Sequence, residues 1–284
     1  MKSIIIHINC SDQTGIIATF TGILFDFKVN ILNLEQHVES DNDHFFMRIH
    51  AELEEHNIVD KSLYETLELS AKDLNAKIQI YHPEKLQRVA IFTTKESIPL
   101  YDLLIKNQSG EILCEIPFII SNHKDHEEIA NQFEIPFYYI PITNKTKTKQ
   151  EKEMKRLLKR HRIDLIVLAR YMQILSPEFV AMYYGKIINI HHGFLPAFKG
   201  KNPYHQAWKQ GVKMIGATAH YVTADLDEGP IIDQDVVSID HQHSIKELIQ
   251  SGREIERRVL TYAVKSHLEY RIILNDQRTI IFRS

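Results

Sequence analysis

The sequence predicts an α/β protein of two units: a βαββαβ unit built on a four-stranded antiparallel sheet, then a doubly wound, mostly parallel sheet. Three observations carry this. Residues 1–82 run through strand and helix patterns in that order, and from about residue 89 short β-rich runs alternate with helical stripes. Between them lies a polar, proline-containing joint, His82-Pro83-Glu84. The expected division is therefore residues 1–82 and 83–284, and 284 residues suffice for two hydrophobic cores.

Residues 3–10 are β-rich, and Asp12-Gln13-Thr14-Gly15 leads into Ile16, Ile17, Phe20, Ile23, Leu24 and Phe27, spaced as one helix face. Residues 30–39 and 44–53 read as strands joined by the polar turn Ser40-Asp41-Asn42-Asp43. Leu63, Leu67 and Leu74 mark a second helix, and residues 77–81 a fourth strand; both helices are expected on one face of the sheet.

In the second unit the expected strands are 89–93, 118–121, 137–140, 165–169 and 187–190, with helices at 99–106, 126–133, 151–160 and 177–184. Asp125 is a candidate cap for one helix, and Ser176 before Pro177 pairs a cap with a proline at the first helical position. Asn202-Pro203 opens a short helix that Gly211 closes, and strands follow at 216–222 and 231–238. Ser244 with Glu247 forms a capping box ahead of a long amphipathic helix carrying Ile245, Leu248, Ile255, Val259 and Tyr262. Residues 271–274 and 279–282 suggest a terminal hairpin around Asn275-Asp276-Gln277.

Composition narrows the functions. With 44% hydrophobic and 25% charged residues the chain is globular, neither disordered nor fibrous. Lys and Arg total 34 against 37 Asp and Glu, so no global field favours nucleic acid. Cys10 and Cys114 form no CxxC and read as reduced apolar fillers, pointing to a reducing compartment. No apolar run approaches the roughly 18 residues of a membrane span, and the N-terminus lacks a signal-peptide core; a cytoplasmic protein is expected. The basic stretch Lys145–Arg162 carries the apolar stripe Met154, Leu157 and Leu158, so it reads as a solvated helix face.

Unusual residues concentrate at Ile188-Asn189-Ile190-His191-His192-Gly193. Alternation along a strand puts Asn189 and His191 on one surface, at the C-terminal strand end where doubly wound folds form their ligand crevice. A second loop, Thr223-Ala224-Asp225-Leu226-Asp227-Glu228-Gly229-Pro230, offers three carboxylates; folded over the strand end, one of them meets His191. An amide donor, a titratable imidazole and a carboxylate base would then converge. His192, His205 and His220 are read as packed or solvated, and no HExxH-type spacing suggests a metal site.

At these residues a family pattern is visible. Asn189-Ile190-His191, Leu195-Pro196 and Leu226-Asp227-Glu228-Gly229-Pro230 resemble the N-x-H and L-D-x-G-P elements of the folate-dependent formyltransferase family, as does the separation of His191 from Asp227. Residues 187–192, Leu195-Pro196-Ala197-Phe198, Pro203-Tyr204-His205-Gln206-Ala207 and Ile215-Gly216-Ala217-Thr218 are similar, more closely, to the hydrolases of that family, the deformylases. The first 80 residues, with Asp12-Gln13-Thr14-Gly15-Ile16, resemble an ACT domain.

The resemblance implies a ferredoxin-like ACT unit before a Rossmann-like catalytic unit, and hydrolysis of 10-formyltetrahydrofolate to formate and tetrahydrofolate, supplying purine synthesis and balancing one-carbon folates. It implies Asn189, His191 and Asp227 as catalytic residues and a pterin pocket at Tyr171, Met172, Gln173, Leu175, Val222 and Asp225. Asp12, Gly15 and Asn30 become candidate contacts for an amino-acid effector, methionine or glycine, in a homo-oligomer paired through its ACT units. No metal or redox cofactor is implied. Two positions depart from the pattern: Gln173, where relatives often have Arg, and Gly193, where deformylases usually have Ser.

Two other functions fit the same residues: formyl transfer to an amine such as glycinamide ribonucleotide, and a catalytically silent folate or amino-acid sensor. Against the transferase, the turn Thr93-Thr94-Lys95-Glu96-Ser97-Ile98-Pro99 has no glycine and one acid, a poor cradle for a substrate phosphate. Water is then the expected acceptor.

Overall fold

The computed structural model describes residues 2–53, 61–143, 145–197 and 203–283. Phe198 of the family pattern and the expected helix opener Asn202 lie outside them. The chain packs as two units: Met1–Lys85 with Glu269–Ile273 and Ile280–Ser284, and Leu86–Leu268 with Leu274–Thr279.

The first unit runs β1 (Lys2–Ser11), α1 (Ile16–Asp26), β2 (Asn30–Glu39), β3 (His44–Leu53), α2 (Lys61–Asp73) and β4 (Lys77–Tyr81). Its antiparallel sheet has the order β2-β3-β1-β4. Ile4, Ile6 and Ile8 alternate toward one face, where Phe20, Leu24, Leu63 and Leu67 of the two helices meet them in a single core. Leu74 lies past the end of α2 but still packs there. Gly15 begins α1 at φ 97°, a left-handed backbone that explains the glycine in the Asp12–Gly15 turn.

The second unit continues with β5 (Arg88–Thr93), α3 (Ile98–Gln108), β6 (Glu115–Ser121), α4 (Glu127–Gln132), β7 (Phe137–Tyr139), α5 (Lys147–Arg160), β8 (Leu165–Ala169), α6 (Pro177–Met182) and β9 (Ile187–His191). Then come α7 (Pro203–Gln210), β10 (Met214–Tyr221), β11 (Ile231–Ser238) and α8 (Ile245–Leu268); β12 (Ile272–Asn275) and β13 (Arg278–Ile281) form the terminal hairpin. The seven-stranded order is β11-β10-β9-β8-β5-β6-β7. It is parallel from β9 to β7, with β10 and β11 added antiparallel. The fold class is the one expected: a Rossmann-like parallel core in one unit and a four-stranded antiparallel sheet in the other.

Local signals explain several helix starts. Ser176 Oγ accepts from Phe179 N at 3.2 Å with Pro177 in the first turn, and Ser244 and Glu247 cap each other reciprocally. Asp125, by contrast, caps nothing. The residue before α4 is His126, drawn into the interior by a 3.0 Å contact between its Nδ1 and Thr93 Oγ1, and the turn closes through Glu127 N to Lys124 O. Helix α5 begins four residues before the expected 151, and Glu151, inside it, is buried as a partner of Ser176. Among the described residues no helix is long and apolar enough to cross a membrane.

Candidate active site

Strand β9 carries Asn189 and His191 to its C-terminal end, held between β8, where Leu168 pairs with Asn189, and β10, where His220 does. Ile188 and Ile190 are buried, as the alternation requires. The β10–β11 loop folds back over this end. Tyr221 N bonds Pro230 O, Glu228 N bonds Asp225 O, and Gly229 sits so close to the chain that a Cβ there would lie 1.7 Å from Tyr221 O. Glycine is therefore obligatory, and the tight return aims Asp227 inward with φ 56°, an uncommon left-handed backbone for a non-glycine residue.

The three residues expected to converge do so. His191 Nδ1 lies 3.3 Å from Asp227 Oδ2, and all three line a cavity of about 240 Å3. Tyr171, Met172, Gln173, Leu175, Val222 and Asp225 line the same cavity. Leu175 is buried, Met172 is exposed, and Tyr171 packs edge-on against Phe92. Asp12, Gly15 and Asn30 belong to the first unit: the first two are exposed on the turn before α1, and Asn30 is exposed at the start of β2.

His220 is packed, and it has a further part that the sequence reading did not assign. It is 2% exposed, and its Nδ1 donates to the Tyr221 carbonyl at 2.9 Å. Burial lowers its pKa, and the Tyr221 bond and Asp227 only partly offset this, so the neutral ring is favoured. With Nδ1 as donor, Nε2 carries a lone pair and accepts from Asn189 Nδ2 at 3.1 Å. That bond orients the Asn189 amide. The signal was the spacing of Thr218, His220 and Val222 on one strand face, but only the β9–β10 register could connect it to Asn189.

Electrostatics around the cluster are mixed. Burial raises the cost of ionising Asp227, yet the hydrogen bond and charge of His191 outweigh it and hold the carboxyl below its ordinary value. His192 is buried, as a packed residue would be, and also lines the cavity; burial first, then Arg170, lowers its pKa to about 3. Arg170, in the left-handed region at φ 60°, also lines the cavity and lies 3.4 Å from buried Glu256 on α8. Glu256 accepts from Tyr204 Oη at 2.6 Å, a buried network that no sequence pattern indicated.

Gly193 brings no side chain to the site, and its backbone is pinned: Thr218 Oγ1 donates to Gly193 O at 2.9 Å and accepts from Leu195 N at 3.0 Å. The turn after β5 is internally committed. Thr94 Oγ1 donates to Asn122 Oδ1 and accepts from Met172 N, and Glu96 pairs with Arg253 at 2.8 Å. Among the described residues no group of three or more His, Cys, Asp or Glu is arranged to hold a metal ion.

A parallel sheet with an amide, an imidazole and a carboxylate at a strand end beside a largely apolar pocket is the architecture of a carbonyl-group transfer enzyme. The formyl transferase family matches residues 87–264. A formyltetrahydrofolate deformylase from Synechocystis sp. is 46% identical over 97% of this chain and 96% of its own. The crystal structure of a formyltetrahydrofolate deformylase from Pseudomonas syringae superposes with a TM-score of 0.96 at 38% identity, covering 100% of this chain and 95% of that one. A glycinamide ribonucleotide transformylase from Symbiobacterium toebii gives a TM-score of 0.67 at 26% identity over 72% of this chain and 97% of its own. The chain belongs to the formyl transferase family and, within it, to the formyltetrahydrofolate deformylases.

Proposed function

We propose that the chain hydrolyses 10-formyltetrahydrofolate to formate and tetrahydrofolate, supplying formate for purine synthesis and balancing the one-carbon pool. The pterin occupies the cavity among Tyr171, Met172, Gln173, Leu175, Val222 and Asp225, and the formyl carbon faces Asn189, His191 and Asp227. The observation that carries this reading is the His191–Asp227 contact at 3.3 Å beside an oriented Asn189 amide, at the wall of an apolar pocket, in a deformylase-family chain.

Asp227, held ionised by His191, accepts a proton from the attacking water. The water oxygen bonds to the formyl carbon, and the carbonyl electron pair moves onto oxygen. Asn189 and His191 donate to that oxyanion, each such donor being worth roughly 3 to 4 kcal/mol. Collapse breaks the C–N10 bond as N10 takes the proton that Asp227 accepted from water, releasing formate and tetrahydrofolate and restoring the carboxylate. The scheme uses no metal ion or redox cofactor.

Residues 83–284 form the catalytic domain in this reading and residues 1–82 an ACT-like domain for regulation and homo-oligomerisation, with Asp12, Gly15 and Asn30 contacting glycine or methionine. The site of action is the cytoplasm. Purified protein incubated with 10-formyltetrahydrofolate in buffer alone should release formate, and glycine and methionine titrations should shift its rate. Formyl transfer to an added amine, with no formate in buffer alone, would convert the reading to a transferase. Folate binding without turnover would make the chain a sensor.

A further inference from the structure

Arg170, Glu256, Tyr204 and His192 form a buried cluster that has no part in the scheme above. Leu168 pairs with Asn189 across β8 and β9, so by continuation of that register Arg170 stands level with His191, and both line the cavity. Arg170 Nη1 lies 3.4 Å from Glu256 Oε2 on α8, and Glu256 Oε1 accepts from Tyr204 Oη of α7 at 2.6 Å. His192 packs beside Tyr204, with ring centroids 6.0 Å apart. The cluster is held at a cost. A Cβ at Gly252, inside α8, would lie 2.1 Å from Tyr204 Oη, so the helix carries a glycine, a poor helix former, to admit that hydroxyl. Arg170 keeps a left-handed backbone at φ 60°. Arg170 Nε and Glu256 Oε2 are buried with no hydrogen-bond partner among the described residues. Stability alone does not account for an ion pair so incompletely bonded.

The cluster and the apolar part of the cavity lie on different sides of the strand ends. Right-handed crossovers place α5 and α6 on one face of the sheet and α3 and α4 on the other, because the chain moves in opposite directions along the strand order. Tyr171, Leu175 and Val222 of the cavity pack with Met154, Leu157 and Phe179 of α5 and α6. Glu256 belongs to α8, which packs on α3 and α7. With folate on the α6 side and the Asp225–Asp227 loop folded over the end of β9, an acceptor larger than water needs room on the α8 side. Arg170 and His192 wall that side, backed by Glu256 and Tyr204. To pass, an amine has to part the ion pair and leave a buried charge uncompensated, whereas water needs no such opening.

We propose that the Arg170–Glu256 pair, held by Tyr204, closes the acceptor side of the formyl site, so that water reaches the formyl carbon and primary amines do not. Arg170 determines this specificity, and Glu256 is a positioning residue that acts through it. The inference rests on the folate reading of the cavity. With the wall removed, an amine nitrogen bonds to the formyl carbon, Asp227 takes one of its protons and passes it to N10, the C–N10 bond breaks, and a formamide leaves with tetrahydrofolate. The test follows the isotopically labelled formyl group of 10-formyltetrahydrofolate in the presence of glycinamide, a small primary amine. Labelled formate and N-formylglycinamide are measured against an enzyme-free blank. Their ratio does not depend on how much enzyme is active, so a merely structural loss leaves it unmoved.

Three variants are compared with the wild type. Arg170→Gly suits the left-handed backbone. Arg170→Gly combined with Glu256→Gln leaves no buried charge behind, and Glu256→Gln alone keeps the shape while releasing Arg170. The wild type should yield almost only formate. The two variants lacking Arg170 should raise the amide-to-formate ratio to at least about tenfold the wild-type value, the discrimination that one steric contact in a pocket commands, and Glu256→Gln should raise it a few-fold. N-formylglycinamide from the wild type in amounts comparable to formate overturns the proposal and leaves hydrolysis standing. An unchanged ratio in the folded double variant overturns it as well. So does loss of both products there, which would put Arg170 in the chemistry itself. If the wild type releases no formate with or without the amine, the hydrolytic reading fails; amide formed by the double variant alone then still supports the closed wall, and its absence overturns it.

Discussion

Two strand ends in the second unit occupy equivalent positions on the parallel sheet and use polarity in opposite ways. After β5, the side chains of Thr93, Thr94 and Glu96 all end on protein partners: His126, Asn122 with Met172, and Arg253. After β9, Asn189 and His191 are each oriented by one protein partner and still line an open cavity. The first set is scaffold, and the second is available to a ligand. Residue type alone does not distinguish them, since both ends carry buried histidines and polar side chains. What separates them is where the partners lie. The contrast also argues against an anion cradle after β5, because its threonine hydroxyls and its acid are already engaged within the protein.

The largest effect should come from Asp227→Asn. It keeps the shape at the β9 end but removes the base and the charge facing His191, so kcat should fall about 10³-fold. The thermal midpoint should stay within a few degrees. Turnover within tenfold of the wild type would return Asp227 to a structural role and erase the contrast.

Much of this organisation is legible locally. Strands 30–39, 44–53, 77–81, 165–169 and 231–238 fall where β-rich runs stand, and the Ser176 and Ser244 caps are readable because donor and acceptor lie within three residues. What is not legible is cross-strand or buried. His220 joins Asn189 only through the β9–β10 register, and Arg170, Tyr204 and Glu256 meet from three distant elements. The Asp125 cap fails for a related reason: a tertiary contact of His126 with Thr93 sets the turn, overriding the local preference. For Asn189, His191 and Asp227, the strand alternation and the Gly229-Pro230 loop foretold proximity, but not that a neutral imidazole would fix the amide.

Acid should sharpen the comparison next. His192 at about 3 and His220, also lowered, are neutral when folded, whereas unfolded histidine protonates near 6.5. The unfolded state thus binds more protons below that value, so the stability they confer is present above pH 6.5 and is lost as pH falls toward the folded pKa. His192 alone accounts for about 3 kcal/mol between pH 6.5 and 4. Asp227, shifted down, keeps its contribution until pH falls below the ordinary carboxylate range and on through its folded pKa. Denaturant midpoints followed from pH 7 to 4 should fall steadily; a flat profile would mean these rings are solvated or charged when folded.

At the scaffold end the expected effects are smaller and of a different kind. Thr94→Val removes the donor to Asn122 and leaves Met172 N without its acceptor, costing about 1 to 2 kcal/mol of stability. Because Met172 lines the cavity, KM for the folate should rise a few-fold while kcat holds within about twofold. An equal fall in kcat and kcat/KM would instead put the β5 turn in contact with the reacting atoms.

The smallest change should follow Glu96→Gln. Glu96 is 17% exposed and its partner Arg253 is 42% exposed, so water screens the pair and its loss should cost about 0.5 to 1 kcal/mol. The substitution also removes the only acid from the β5 turn and leaves Lys95 and Arg253 without its charge, the most favourable case for anion binding there. If the turn is scaffold, millimolar inorganic phosphate should leave formate release unchanged in both the wild type and Glu96→Gln. Phosphate inhibition confined to Glu96→Gln would show that this carboxylate is what keeps an anion site closed. Inhibition of the wild type as well would place an anion site at the β5 end and dissolve the distinction between the two ends.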